Sequence, residues 1–520
     1  MNYPHRAPKT SVLTAALLLA LSAPVYAQTA NENDEKKDAS AESAPEELDA
    51  IKITGIRRSL TSSRDLKRDA QGVVDGIVAE DIGKFPDTNL AESLQRITGV
   101  SIDRSAGEGS RVTVRGVGPD FNLVLLNGRQ MPASSIADTG PSNSRAFDFA
   151  NLASEAVSGI EVYKTSRAST PTGGIGATIN IKTARPLDNP AFLANIGIKG
   201  VTDSSGDNLP DSLQGDSVTP EVSGIISAKS ADGKFGIALT ASYQEREFGF
   251  SQVSVPNGWR VFRGDENNWG TIPQPGTTGS ENITNRPGPD DIYSVPQNLN
   301  YSVTGLQRQR TNGQLTLQYA PTDRITTTLD YTYSENKIQQ QRNELSVWFN
   351  FGPSVTSWTD GPGAAPIIYS ETIPAANSDL SMGGASSATK NQNKSLGFNT
   401  RWNVTDSLNL EFDYHNSSAE SAADSPYGSS GVLGAAGFFR GTTTVDFSRD
   451  FPILTVALPA GQSDIDPSRM LVTGSTFRNS YMKSEIEQLQ VKGDFTFDNY
   501  SKLDFGVSAT VHVDCFAATA

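Results

Sequence analysis

Apolar and polar residues change places at every second position over much of this chain. Phe235, Ile237, Leu239, Ala241 and Tyr243 alternate with small or polar residues, and Leu315, Leu317 and Tyr319 do the same. After the short turn Pro321-Thr322-Asp323, Ile325, Thr327, Leu329, Tyr331 and Tyr333 face one way, and Thr326, Thr328, Asp330 and Thr332 face the other. A period of two belongs to a strand with unlike faces. The design recurs at 395–404 with 407–417, joined across Thr405-Asp406, and at 487–497 with 502–511, joined across 498–501. Nine strands are predicted, near 192–201, 221–229, 234–248, 309–320, 324–337, 392–404, 407–418, 485–497 and 502–513. Long segments rich in Gly, Pro, Ser, Asn and Asp separate the tightly joined pairs, at roughly 249–308, 338–391 and 419–484. Short turns at one end and long loops at the other predict an antiparallel transmembrane β-barrel. Tyr243, Tyr319, Tyr331, Tyr333, Trp402 and Tyr414 are candidates for its aromatic girdles. A soluble sandwich or propeller also alternates, but it does not call for such unequal connections.

The region 60–185 has a different grain and reads as a mixed α+β domain. Leu90, Leu94 and Ile97 share one helical face, with Asp87, Thr88 or Asn89 as N-cap and capping-box spacing from Asn89 to Glu92. Val100–Asp103, Arg111–Arg115, Ile160–Lys164 and Ala177–Thr183 read as strands. Leu123–Leu126, Asn127-Gly128 and Arg129–Met131 read as a hairpin, because Asn-Gly suits the type I′ turn that strand twist demands. Gly173, Gly174 and Gly176 lack the spacing of a phosphate loop and suit a tight connection between strands.

The start of the chain adds a compartment. His5, Arg6 and Lys9 precede the apolar run Val12–Leu21, and Ala23–Ala27 supplies small residues for a cut after Ala27. That describes a secretory signal peptide, with a short anchor as the alternative. Residues 28–47 are polar and acidic and predict a disordered linker. Leu48–Gly55, LDAIKITG, suits a short strand with no obvious partner nearby. Net charge is −15, a poor match to the phosphate backbone, so no nucleic-acid partner is expected. The chain has one cysteine, Cys515, and three histidines, His5, His415 and His512. Zinc sites and Ser-His-Asp catalysis draw on those residue types, so neither metal, cofactor nor catalytic residues are expected.

Five stretches carry a family resemblance: LDAIKITGIRRSL, DIGKFPDTNLAESLQRITGVSIDR, RVTVRGVGPDFNLVLLNGRQM, SEAVSGIEVYKTSRAS and GGIGATINIKTARPLD, together spanning about 48 to 190. In this order they resemble the TonB-dependent outer-membrane receptors, of the group that takes up carbohydrates. Thr98 departs from the family, many of whose members have proline there. The resemblance implies an α+β plug domain at 56–188 inside the barrel, whose N-terminal part is 189–513. It implies that Leu48, Asp49, Ala50, Ile51, Lys52, Ile53 and Thr54 form a TonB box. The periplasmic protein TonB, driven by its inner-membrane energy-transducing complex, would pair with this box as an added strand. The short spacer before it implies no periplasmic signalling domain.

Candidate residues follow from that frame. Arg111 and Arg115 share a strand face and either tie the plug to acidic residues of the wall or stay solvated. Arg129, Met131 and Arg145 are candidates to face a ligand. Trp259, Trp269, Trp348 and Trp358 fall in predicted long loops and suit sugar rings, or else loop packing. The loop 249–308 mixes Arg260, Arg263 and Arg286 with Asp265, Glu266, Asp290 and Asp291, with no dense basic cluster for an anionic iron chelate. The expected activity is therefore TonB-dependent transport of a small nutrient, a carbohydrate, through outer-membrane lipid. A ferric-siderophore receptor is the alternative, and a secreted carbohydrate-processing enzyme is the rival from another class. Relatives of this kind have roughly 22 strands. Nine strands and the tail 514–520 therefore predict an incomplete barrel.

Overall fold

The computed structural model describes residues 64–519, apart from 69, 71, 79–88, 106, 138–139, 153, 155–156, 374–377, 459–460 and 500. The signal peptide, linker and TonB-box assignments lie outside the described residues.

The N-terminal domain is built on a five-stranded sheet. Its strands are β1 (Val74–Val78), β4 (Asn122–Leu126), β5 (Arg129–Gln130), β6 (Val157–Tyr163) and β7 (Ala177–Thr183), in the order β1-β6-β7-β4-β5. A separate ribbon pairs β2 (Val100–Ser105) with β3 (Glu108–Val114). Helix α1 (Leu90–Leu94) closes the core, burying Leu90, Ala91 and Leu94 against Val112, Val114, Ile160, Val162, Ile179 and Ile181. Asn89 caps it: its Oδ1 accepts from the amides of Ala91 (2.9 Å) and Glu92 (3.2 Å). Glu92 does not complete a capping box. Its carboxylate accepts from the amide of Gly109 (3.1 Å) and pairs with Arg104 (2.7 Å), so it ties the helix to the β2–β3 ribbon instead.

Most of the described residues from 192 onward form one large antiparallel wall. Its strands are β8 (Phe192–Thr202), β9 (Val218–Lys229), β10 (Phe235–Ser254), β11 (Asn298–Thr322) and β12 (Ile325–Trp348). They continue with β13 (Asp379–Asn403), β14 (Leu408–Ala423), β15 (Ser430–Phe438), β16 (Met470–Thr496) and β17 (Lys502–Thr519). All nine predicted strands are present, and β15 is additional. It carries the line of β14 onward: β13 pairs β14 through Thr389 and pairs β15 from Ser387. The last strand continues through the predicted tail to Thr519, which pairs with Asn479. The two edge strands of this sheet, β8 and β17, are not paired with each other.

Alternation sets the two faces of the wall. Leu329 and Tyr331 are each 40% exposed, while Asp330 between them is 1% exposed. Leu239, Leu315, Phe398, Trp402, Phe412 and Leu489 join the exposed side, and Thr240, Gln314, Thr316, Thr328, Asn399 and Gln490 the buried side. This inverts a water-soluble protein and suits a wall with lipid outside and polar groups within.

The long segments are corrected by the structure. Strands β11, β12, β13 and β16 run 25, 24, 25 and 27 residues, whereas roughly 10 cross a bilayer. They are thus longer than a crossing needs, and the connections between them fold. Trp259–Arg263, Ile292–Pro296 and Gly363–Ala364 form a three-stranded sheet. Ile283–Thr284, Pro353–Trp358, Pro366–Thr372, Thr442–Asp446 and Ile453–Val456 form a five-stranded one. They enclose a second core that includes Phe262, Tyr293, Val347, Phe349, Trp358, Tyr369 and Val445. The expected loops are therefore a packed cap. Beyond the length of a crossing, the strand sequences lose the apolar alternation that announces a wall strand.

Candidate functional site

The hairpin β4–β5 aims one charge at the wall. Asn127 (φ 55°) and Gly128 (φ 84°) both adopt left-handed conformations, giving the type I′ turn that the Asn-Gly pair predicts. The side chain of Asn127 accepts from the amide of Thr183 (3.0 Å), and the amide of Gly128 donates to Asn180 Oδ1 (2.8 Å). This fixes the turn to β7 and orients the next residue, Arg129.

Arg129 is 2% exposed. Its Nη1 donates to both carboxylate oxygens of Asp330 on β12 at 2.8 Å. Its Nε lies 3.0 Å from both oxygens of Asp413 on β14. Arg185 adds a second cation 3.7 Å from Asp330, and Asn399 donates to Asp413 at 2.9 Å. Two guanidinium groups thus face two carboxylates. Burial opposes the charge on Arg129, but Asp330 and Asp413 outweigh it and hold its pKa above the ordinary arginine value.

A second charged contact lies on the neighbouring strand. Glu108, 4% exposed at the start of β3, meets Arg308 (2.8 Å) and Arg310 (2.5 Å) of β11. Neutral contacts fill the space between. Ser334 Oγ donates to the Asn151 carbonyl (2.5 Å), and Asn336 donates to Asn151 Oδ1 (3.2 Å). His415 Nε2 sits 3.2 Å from the Gln130 carbonyl, and Ser421 Oγ lies 3.0 Å from Ser134 Oγ. All six of the wall positions Asp330, Ser334, Asn336, Asp413, His415 and Ser421 are 5% exposed or less. The arrangement seats a compact domain against the polar side of a strand wall through groups that must be paired once dry.

The candidate residues fall in different places. Arg111 and Arg115 do not tie the domain to the wall among the described residues. Arg111 is half-buried on β3 opposite Asp103. Arg115 (φ 53°) reaches the carbonyls of Lys164 and Gly176 within its own domain, the latter at 3.4 Å. Arg129 makes the tie to the wall that was one of the two alternatives for those residues. It points into the wall, not toward an open ligand site. Met131 is buried in the domain's core. Arg145 is exposed; its guanidinium donates to the Gly173 carbonyl (3.3 Å) and its amide to Asp120 (3.0 Å). Trp358 is 1% exposed and packs edge-on to Tyr293 in the cap core. Trp259, Trp269 and Trp348 are exposed, with Trp348 at the end of β12. The residues missed by sequence reading are Glu108, Arg308, Arg310, Asp330 and Asp413. Asp330 carried a signal, a lone charge on a face otherwise made of threonine.

Comparison with known proteins gives the N-terminal domain a family. Residues 66–178 match the TonB-dependent Receptor Plug Domain family. A 187-residue stretch is 32% identical to the ferric enterobactin receptor PirA of Pseudomonas aeruginosa, covering 34% of this chain and 24% of that receptor. The chain thus matches about a quarter of the length of this curated relative. Among solved structures, a variant of the ferric enterobactin receptor PfeA of Pseudomonas aeruginosa is 12% identical with a TM-score of 0.34. That match covers 83% of this chain and 63% of that one. BauA, the ferric preacinetobactin receptor of Acinetobacter baumannii, is 11% identical with a TM-score of 0.37, covering 86% of this chain and 60% of that one. Residues 66–178 belong to the TonB-dependent receptor plug-domain family and are seated on a strand wall, and the chain is similar to TonB-dependent receptors of the Gram-negative outer membrane.

Proposed function

We propose that this chain serves TonB-dependent import of a ferric siderophore across the outer membrane. The observation that carries the reading is the plug-domain match at 66–178, in a chain whose plug is held to the polar face of the wall by Arg129. A plug held by buried ion pairs and short polar contacts fills the lumen at rest. Such contacts can be exchanged for water when the plug is pulled, without exposing a greasy surface. TonB would supply the pull, pairing as a strand with the box Leu48–Thr54. The siderophore reading replaces the carbohydrate one because the relative matched at 32% identity is named for a ferric siderophore. A carbohydrate cargo remains the competing reading, favoured by the lack of a dense basic cluster in 249–308.

The test is uptake of radiolabelled iron, supplied as ferric enterobactin, in iron-starved cells that lack their own receptors and express this chain. The reading predicts saturable uptake that disappears in a strain without TonB, or when Ile51→Pro breaks strand pairing in the box. Uptake of labelled maltooligosaccharide with no iron uptake would favour the carbohydrate cargo.

A further inference from the structure

The cap holds a guanidinium that its own residues leave without an acceptor. Arg260 lies on the short strand Trp259–Arg263, on the same face as Phe262. Its guanidinium carbon is 4.6 Å from the centroid of the Trp269 ring, 5.1 Å from that of Phe262 and 5.3 Å from that of Phe351. Trp269 and Phe351 meet edge to face with centroids 5.2 Å apart. Stacking on rings engages the flat faces of a guanidinium and leaves its in-plane N–H donors free. Among the described residues, Arg260 has no hydrogen bond or ion pair, although acids are close in sequence. Arg263 takes them, pairing with Asp265 (3.1 Å) and Asp290 (3.6 Å).

The rings are held in place from behind. Phe351 has a left-handed backbone (φ 57°), costly for a bulky residue. Glu371, 1% exposed, secures that turn by accepting from the amides of Asn350 (2.7 Å) and Gly352 (3.1 Å). The phenol of Tyr369 donates to the same carboxylate at 2.5 Å. Gly270 (φ 90°) lies where an added Cβ would come within 3.0 Å of the Phe262 ring and 3.1 Å of Phe351 Cβ, so these two residues close on a position without a side chain. Trp269 is 64% exposed at the mouth of this arrangement. The result is a cation with open donors, a solvent-facing aromatic beside it and a rigid mount.

We propose that Arg260 and Trp269 form a binding site for a carboxylate carried on a six-membered ring with an apolar face. The carboxylate would take the two-pronged edge of the guanidinium, which matches its geometry, and the ring would lie on the indole of Trp269. Two sources share this chemistry, an aromatic acid and a ring sugar acid. The inference goes beyond the transport reading and does not depend on ferric enterobactin being the cargo. It is tested by binding alone, so a chain that fails to transport still reports on it.

The experiment titrates the purified full chain in detergent with 2-hydroxybenzoate and with galacturonate, following tryptophan fluorescence. Phenol and galactose are the neutral controls. The site predicts saturable quenching by at least one acid, little by its neutral counterpart, and at least tenfold weaker binding in Arg260→Gln. Arg260→Lys should recover little of it, because an ammonium lacks the planar fork. Trp269→Phe should lose the signal while retaining part of the binding, read by calorimetry. Near-ultraviolet circular dichroism of Arg260→Gln should match the parent, showing an intact cap. Equal binding of acid and neutral counterpart, no binding of either acid, or undiminished binding in Arg260→Gln would overturn the proposal. Quenching by 2-hydroxybenzoate alone identifies the aromatic source, and quenching by galacturonate alone the sugar source.

Discussion

Arg129 and Asp330, 201 residues apart in the chain, form a two-pronged contact in which one guanidinium nitrogen lies 2.8 Å from both carboxylate oxygens. One residue belongs to the plug and the other to the wall, and both are at most 2% exposed. The contact is buried and shared with Asp413, so its energetics are those of a dry charge set. Removing one member costs far more than the net worth of the pair.

Arg129→Gln should therefore destabilise plug seating by about 3–5 kcal/mol, because Asp330 and Asp413 are left without their main cation. Thermal unfolding in detergent measures this. Arg129→Met combined with Asp330→Asn and Asp413→Asn should recover much of the loss, since both buried carboxylates are neutralised with their main cation and only the part-exposed Arg185 keeps its charge. A triple variant as unstable as Arg129→Gln would show that the ion pairs are not the source of the cost.

Gly128→Ala probes the hairpin that carries Arg129. The glycine has φ 84° and nothing within 4 Å of an added Cβ, so only the left-handed backbone is penalised. A loss of about 1–2 kcal/mol is expected, visible as faster amide exchange at Leu126, Arg129 and Gln130. Unchanged exchange there would mean that the turn tolerates another backbone shape.

Trp358→Ala should act on the cap alone. The ring is 1% exposed and packs against Tyr293 at 5.0 Å between centroids. Truncating a buried tryptophan costs about 3–5 kcal/mol. Hydrogen exchange should rise across Ile292–Pro296 and Pro366–Thr372 while Ala177–Thr183 in the plug stays protected. Equal loss of protection in both regions would contradict a separately packed cap.

Asp75 gives the plug an acid limit. Burial raises its pKa, but hydrogen bonds from Lys164 and Lys67 outweigh that and hold it below the ordinary value of 3.8. A carboxyl depressed on folding adds stability above its unfolded pKa, and that stability is lost as pH falls through the folded one. The plug edge bearing β1 should therefore loosen below about pH 4. Asp75→Asn should be less stable at pH 7 and lose this acid-dependent step. The same step persisting in Asp75→Asn would assign it to another group.

What could be read beforehand follows from how local each signal is. Alternation at Ile325–Tyr333 and the Asn127-Gly128 pair act through neighbours in sequence, so the wall strands and the hairpin were legible. The destination of Arg129 was not, because a period of two assigns a face and never a partner 201 residues away. The shared strand face of Arg111 and Arg115 leaves plug–wall contact and solvation equally open, and Arg115 turns back to the carbonyls of its own domain. The cap was hidden for another reason. Its strands, such as Thr442–Asp446 and Ile453–Val456, are four or five residues long and lie among glycine and proline, the composition of a loop.

The plug rests on the wall, and the proposed transport requires the two to part for cargo to pass. Ser134 and Ser421 meet with their hydroxyl oxygens 3.0 Å apart, one on each side of that contact. Replacing both with cysteine, in a Cys515→Ala background, allows a disulfide to form across it. We would measure ferric enterobactin uptake in cells expressing this variant, before and after mild oxidation and again after reduction. The account predicts that the disulfide forms readily, that uptake stops when it does, and that reduction restores it. Failure of the bond to form, or undiminished uptake with the bond in place, would contradict it.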